Sequence, residues 1–357
     1  MPTMEERFMN LVRVDSESGN EDSVLACLQE MLEGELEAEC MRDAFGNLVA
    51  RVPGKDSDRT TPILLGAHAD TVKPGVGIEP VLQDGVIRSV GDTVLGSDDK
   101  AGIVEIIEAV RTAERRPPVE IVITRSEEIG LLGAKNLDLS LVDSEMGFVL
   151  DTSDLNAVLL GGPTHINIDV QIRGKGAHAG IRPEEGISAV RTAAKAILMM
   201  PEGRIDSETT ANVGIIRGGE ARNGIPAEVH IQAECRSLNH EKALHQAAVM
   251  EKAFREAAED MGARVQISPS IEYEATRIEP DRPVVQAACR AVASVGLEPQ
   301  PRVSTGGSDA IVLTARGIET VVLGYGGRKA HSTEEHIVVE DMERAVRIVK
   351  SLLADLA

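Results

Sequence analysis

Short apolar runs alternate with helical stretches through most of this chain, and that rhythm limits the fold more than any other feature. ILLGA (63–67), VEIVIT (119–124), GFVL (147–150) and TVVLGYG (320–326) read as strands. Between the first two lies GIVEIIEAVRTAERR (102–116), an amphipathic helix stopped by Pro117-Pro118. Residues 4–14 and 21–36 also carry apolar side chains at helical spacing, and Ser16, Ser18, Gly19 and Asn20 break the two apart. Strands that alternate with helices predict an α/β fold: a mixed, largely parallel sheet with helices on both faces.

The rhythm changes after Gly161-Gly162-Pro163. HINIDVQIRG (165–174) alternates polar and apolar residues, as a strand with one wet face does. A helix near 184–200, strands near 211–217 and 227–236, a long helix at 239–261 and a strand at 263–271 follow. Strand, helix, strand, strand, helix, strand is the order of a ferredoxin-like α+β sandwich. The first rhythm resumes near position 281. The expected organisation is therefore a discontinuous domain, 1–162 with 275–357, carrying an inserted domain at 163–274.

The chain has 58 acidic and 37 basic side chains, a formal charge of −21. That balance speaks against nucleic acid and against an anionic membrane surface, both of which call for clustered Lys and Arg. With no Trp, two Tyr and four Phe, there are few aromatic faces for stacked bases. The acidity itself reads as a solubility device. Cys27, Cys40, Cys235 and Cys289 match no disulfide framework and no CxxC motif, so they read as reduced, mostly buried thiols. The N-terminus lacks a signal-peptide pattern, and no run reaches the ~18 apolar residues of a membrane span. A soluble cytoplasmic protein is expected.

In open α/β sheets ligands bind beyond the carboxyl ends of the strands. Metal-competent side chains collect there. His68 and Asp70 follow ILLGA, Glu127 and Glu128 follow VEIVIT, Asp151 ends GFVLD, and His331 comes shortly after TVVLGYGG. Asp98, in GSDDKAG, sits in a loop before a helix. Singly, each has a plainer explanation: a structural histidine, a carboxylate capping a helix, an ordinary turn. Their shared place at one rim favours a metal site. Two cations held close need an anionic bridge, for which Asp98 is the choice. His68 with Asp151, and His331 with Glu128, then complete two sets of imidazole and carboxylate donors, as in catalytic zinc sites. Asp70 is two residues from His68, on the same side of the strand, and suits orientation of the imidazole. Glu127 is left as general base for a bridging water.

These residues resemble a known family. HAD, GSDDKAG, SEEIGLLGA, the aspartate of FVLD and the late HSTEEH look like the co-catalytic zinc peptidases that include peptidase T, carboxypeptidase G and acetylornithine deacetylase. GSDDKAG and GKGAHAGIRPEEG bring the chain nearest to the peptidase T branch, and the resemblance runs over nearly its whole length. It implies two divalent ions, zinc with Co²⁺ or Mn²⁺ as alternatives. The implied ligands are His68, Asp98, Glu128, Asp151 and His331, with Asp70 as orienting acid, Glu127 as base and a cis peptide between Asp98 and Asp99. Related two-metal aminopeptidases share the DD and EE elements but carry their insertion elsewhere. Here Asp151 and His331 lie 180 positions apart, which places the insertion where the peptidase T branch has its lid.

The lid is expected to supply His178 as an oxyanion donor, with Arg222 and Asn223 as substrate anchors. Gly306 and Gly307 in STGGSDA either contact substrate through their N–H groups or merely start a helix. The implied activity is hydrolysis of small peptides, in the manner of a tripeptide aminopeptidase, by an enzyme that often dimerises through its lid. An N-acyl-amino-acid deacylase or carboxypeptidase of the same family stands as the alternative. A non-catalytic binding homologue would show a damaged ligand set, and this set is whole.

Overall fold

Six successive residues from Ile63 to His68 are buried, and so are six from Val119 to Thr124, so these strands have no solvent face. Such runs are stable only where helices cover both sides of a sheet. The computed structural model, which describes residues 2–357, shows this arrangement. In the first unit β1 (Glu39–Arg42), β2 (Leu48–Val52), β3 (Ile63–His68), β4 (Val119–Thr124), β5 (Met146–Thr152) and β6 (Ala157–Leu159) precede the insertion. In the insertion lie β7 (Thr164–Arg173), β8 (Gly203–Arg204), β9 (Thr209–Gly218), β10 (Glu228–Ser237) and β11 (Arg264–Tyr273). β12 (Gln300–Arg302) and β13 (Glu319–Gly324) return to the first sheet, whose order is β1-β2-β4-β3-β5-β13-β6-β12. The central strands β4, β3, β5 and β13 run parallel, and antiparallel neighbours flank them, so the sheet is mixed.

Alternate residues of one strand feed two cores. Leu65, Ile121, Ile123 and Phe148 pack under α1 (Met4–Val12), α2 (Asp22–Leu36) and α3 (Ser97–Thr112). Leu64, Val122 and Val149 point the other way and meet Ala310, Leu313 and Val322. The helix expected at 102–116 begins earlier and ends at Thr112. Arg116 is drawn off by backbone hydrogen bonds with Lys55 at 2.8 and 2.9 Å, and Pro117 disfavours helical geometry at the residue before it.

The chain divides into two compact units: residues up to Gly161 with Arg277–Ala357, and Gly162–Thr276. The second has its own core. Ile166, Ile168, Val170 and Ile172 of β7 face inward with Val229, Ile231 and Cys235 of β10. Alanines at 189, 193 and 196, and at 243, 253 and 257, let two helices lie close to that face, with Phe254 filling the centre. Its sheet, β8-β9-β10-β7-β11, has one short strand more than the sandwich pattern predicts, because Gly203–Arg204 folds back on β9. Cys235 is buried, whereas Cys27, Cys40 and Cys289 are only half-buried and all four are free thiols. Among the described residues no helix is long and apolar enough to cross a membrane.

Candidate metal centre

Strand register decides which side chains meet. β3 and β4 run side by side from Ile63 opposite Val119 to His68 opposite Thr124. β5 lies on the other side with Gly66 opposite Val149, and the same register carried two residues on sets His68 beside Asp151. Beyond Thr124 the chain turns at Ser126, a non-glycine residue at φ 57°, and delivers Glu127 and Glu128. Beyond β13 it reaches His331, also left-handed at φ 62°. Left-handed backbone is uncommon for such residues and persists where surrounding contacts hold it.

Asp98 lies between the two histidines. Its Oδ1 is 3.3 Å from His68 Nε2, and its Oδ2 is 3.5 Å from His331 Nε2. His331 Nε2 is also 2.9 Å from Glu128 Oε1, while His68 Nε2 is 3.9 Å from Asp151 Oδ1. Ligand atoms of His68, Asp98 and Glu128 all lie within 4.8 Å of one another, as do those of His68, Asp99 and Asp151. Asp98 departs from helical geometry (φ −84°, ψ 102°) just ahead of the regular part of α3, and the peptide joining it to Asp99 is cis.

Buried carboxylates from elsewhere hold this rim in place. Asp70 is fully buried; its Oδ1 accepts the Glu127 N–H at 2.9 Å, and its Oδ2 accepts the Glu128 N–H at 3.2 Å and the Ser18 hydroxyl at 2.7 Å. His68 Nδ1 donates to the Asp70 carbonyl at 3.0 Å, whereas the Asp70 carboxylate is 3.6 Å away. The Asp70 carbonyl thus takes the Nδ1 hydrogen, while its carboxylate stands within ion-pair distance of that nitrogen and accepts from the Glu127-Glu128 turn. Glu21 accepts the N–H and hydroxyl of Ser126 at 3.0 and 2.9 Å and pairs with Arg125 at 2.7 Å. Glu335 receives donors from residues 95–98. Asp99 accepts the His68 backbone N–H at 3.3 Å, and Thr124 donates to Asp309. Glu21, Asp309 and Glu335 carry no mark in the sequence patterns, and Asp99 enters them only as the neighbour of Asp98. An acid ahead of α2 reads as a capping residue, and only the fold reveals that Glu21 makes no side-chain cap.

The electrostatics follow from crowding. Burial raises the Asp151 carboxyl to about 8, with the charge of Asp98 adding to it. Glu127 is raised well above the usual carboxylate range by burial and then by Asp151. For Asp98 burial acts upward, but hydrogen bonds with His331 and His68 outweigh it and hold the carboxyl well below its ordinary value. Hydrogen bonds to Asp98 and Glu128 push His331 up to about 10. So many carboxylates at one point are stabilised by positive charge, and imidazole with carboxylate oxygen is the donor set that a catalytic zinc-type cation takes. The donor set fits a divalent metal.

His178, Arg222 and Asn223 belong to the second unit, are exposed and lie on adjoining segments. The Asn223 carbonyl accepts the Ala179 N–H at 2.9 Å, and His178 faces Gly224 across a β-bridge. Gly306 and Gly307 are exposed ahead of the short helix Asp309–Ala315; the Gly306 N–H is taken by Ser304 Oγ at 2.9 Å.

Comparison with known proteins agrees with this geometry. Residues 163–262 match the family model described as a peptidase dimerisation domain, and residues 47–153 match that of peptidase family M28. The chain is 37% identical to the uncharacterized protein YqjE of Bacillus subtilis, over 99% of this chain and 98% of that protein. It is 38% identical to the aminopeptidase PepT of Bacillus cereus, whose crystal structure matches with a TM-score of 0.86 over 99% of this chain and 98% of that one. A tripeptidase from Staphylococcus aureus is 33% identical, with a TM-score of 0.92 and coverage of 99% and 97%. Strands that end in histidine and carboxylate around Asp98, on a fold shared along its whole length with these enzymes, lead to one conclusion: this chain belongs to the peptidase T family of metallopeptidases.

Proposed function

We propose that the chain cleaves short peptides, tripeptides foremost, at their amino end. The observation that carries this reading is the placement of Asp98, with one carboxylate oxygen toward His68 and the other toward His331. His68, Asp98 and Asp151 would hold one divalent cation, and His331, Asp98 and Glu128 a second. Zinc is the expected metal, with Mn²⁺ or Co²⁺ as substitutes. When bound, the ions would polarise the scissile carbonyl and make water more acidic.

The protein's own groups do the rest. Glu128 is engaged with His331, which leaves Glu127 as the base that takes the proton of the attacking water and hands it to the departing amine. Asp70 keeps that base in place through the Glu127 N–H, and its carbonyl keeps the Nε2 of His68 turned to Asp98. His178, Arg222 and Asn223, neighbours within the second unit, are proposed to contact the substrate: His178 by donating to the developing oxyanion, Arg222 by pairing with a carboxylate. Gly306 and Gly307 are proposed as backbone contacts. We place the enzyme in the cytoplasm, consistent with its free thiols, and as a homodimer formed through the second unit, consistent with the dimerisation-domain match.

The test is activity of the metal-reconstituted protein on matched tripeptides, dipeptides, carboxypeptidase substrates and N-acyl amino acids, each with a chelator control. Preferred release of the amino-terminal residue from tripeptides is expected. Turnover of N-acyl amino acids alone would replace the aminopeptidase reading with a deacylase one.

A further inference from the structure

The carboxylate of Glu335 is buried, 2% exposed, and all its accepting capacity is used on one short segment. Its Oε2 accepts the N–H groups of Leu95 and Gly96 at 2.8 and 2.9 Å. Its Oε1 accepts the Ser97 hydroxyl at 2.6 Å and the Asp98 N–H at 3.0 Å. Successive N–H groups that converge in this way form an anion-binding concavity, here filled by a side chain of the same protein. Gly96 lets the segment turn, with φ +71° and room so limited that a Cβ would come within 2.9 Å of Thr71 Cγ2.

Glu335 is itself fixed. Its N–H donates to Ser332 at 3.0 Å, within the turn that begins at His331. On its other side the strand His336–Val338 pairs with Val86–Ser89, and Ile337 is fully buried. The segment that ends in Asp98 is thus tied, four hydrogen bonds deep, to the segment that begins with His331.

We propose that Glu335 is a positioning residue: it sets the spacing between Asp98 and His331, and so the affinity for the cation that these two residues share with Glu128. The proposal rests on the ligand assignment made above. It does not concern the protonation of Glu335; four donors facing two oxygens describe a group that accepts only. Glutamine has the same shape but one oxygen: with its amide nitrogen toward Leu95 and Gly96 it meets two N–H donors, and toward Ser97 and Asp98 it meets one, because the serine hydroxyl can turn to accept. Glu335→Gln therefore loses at least one backbone bond and the carboxylate charge, without a change in volume.

The experiment compares wild type, Glu335→Gln, Ser97→Ala and Asp98→Asn, using Zn²⁺ alone as probe. Metal per chain is measured after dialysis against buffered zinc, and the weaker dissociation constant is measured by competition with a chromophoric chelator. Chelator-treated samples are compared by thermal melting, and kcat and KM are followed as zinc is raised. Removing a partner that orients metal ligands typically costs about 10–100-fold in affinity. Glu335→Gln should weaken the second zinc by that factor and lower kcat at limiting zinc; excess zinc should restore kcat while KM for peptide stays near wild type. Ser97→Ala, which removes one bond of the four, should weaken it less, and it decides the matter if Glu335→Gln does not fold. Folded variants that bind zinc as wild type does, with only a lower melting temperature in chelator, would make Glu335 a purely structural residue and overturn the proposal. Should Asp98→Asn also leave two zinc ions bound, the ligand assignment itself fails, an outcome separate from failure at Glu335.

Discussion

The two largest sheets of this protein treat their polar side chains in opposite ways. In the first unit β3 and β4 are buried at every position, whereas β7 of the second unit alternates buried and open residues along its length. A sheet covered on both faces leaves few polar groups along its strands: Glu120 in β4 is buried where Asp143 and Ser144 supply donors, and the others collect near where strands stop. His68, Asp70, Glu127, Glu128 and Asp151 all occupy such places. A sheet with one wet face carries polar groups along its length: Asp169, Gln171, Gln232 and Gln266 line that face around a cavity of about 480 Å³, and none of them is in a candidate metal group among the described residues. Chemistry in this molecule is concentrated by the burial of its surroundings.

The largest effects should confirm that concentration. Chelation is expected to take hydrolysis to background, and Glu127→Ala to reduce kcat by about 10²–10⁴-fold. Metal analysis should show Glu127→Ala retaining its ions, and near-normal turnover would remove Glu127 from the mechanism. Next, the two units should be alike in depth of packing even though their sheets differ at the surface. Phe148→Ala and Phe254→Ala, both at 0% exposure, should each cost about 3–5 kcal/mol in denaturant unfolding. A small loss at Phe254 alone would mean that the second core is looser than its burial indicates. A direct contrast comes from one polar substitution in each sheet. Ile121→Thr places a hydroxyl in a strand buried on both faces and should cost about 1–3 kcal/mol. Gln232→Thr, on the open face of β10, should stay within about 0.5 kcal/mol. Equal costs would break the comparison.

The same contrast explains what could be read from the residues alone. Strand ends that carry His68, Glu127 and Glu128 stand out because apolar runs frame them, and the break at Gly161 is visible because the period of alternation changes there. Helix limits were less legible: Pro117 signals a stop, but the pairing of Arg116 with Lys55, which ends α3 at Thr112, joins residues 61 positions apart. The supporting carboxylates were least legible of all. Glu21 and Glu335 are buried at 0% and 2% exposure by donors from distant segments, and no local spacing marks an acid that will meet Ser126 or Leu95. Asp99 is visible in the sequence only as the neighbour of Asp98. Its link to the His68 N–H depends on how α3 sits against β3.

Asp70 serves two neighbours with two different parts of itself. Its carbonyl, which any amino acid would bring, aims His68, while its carboxylate, which few could replace, steadies the turn that bears Glu127 and Glu128. A substitution at position 70 therefore spares the carbonyl that meets His68 Nδ1 but removes the carboxylate on which both glutamate N–H groups converge.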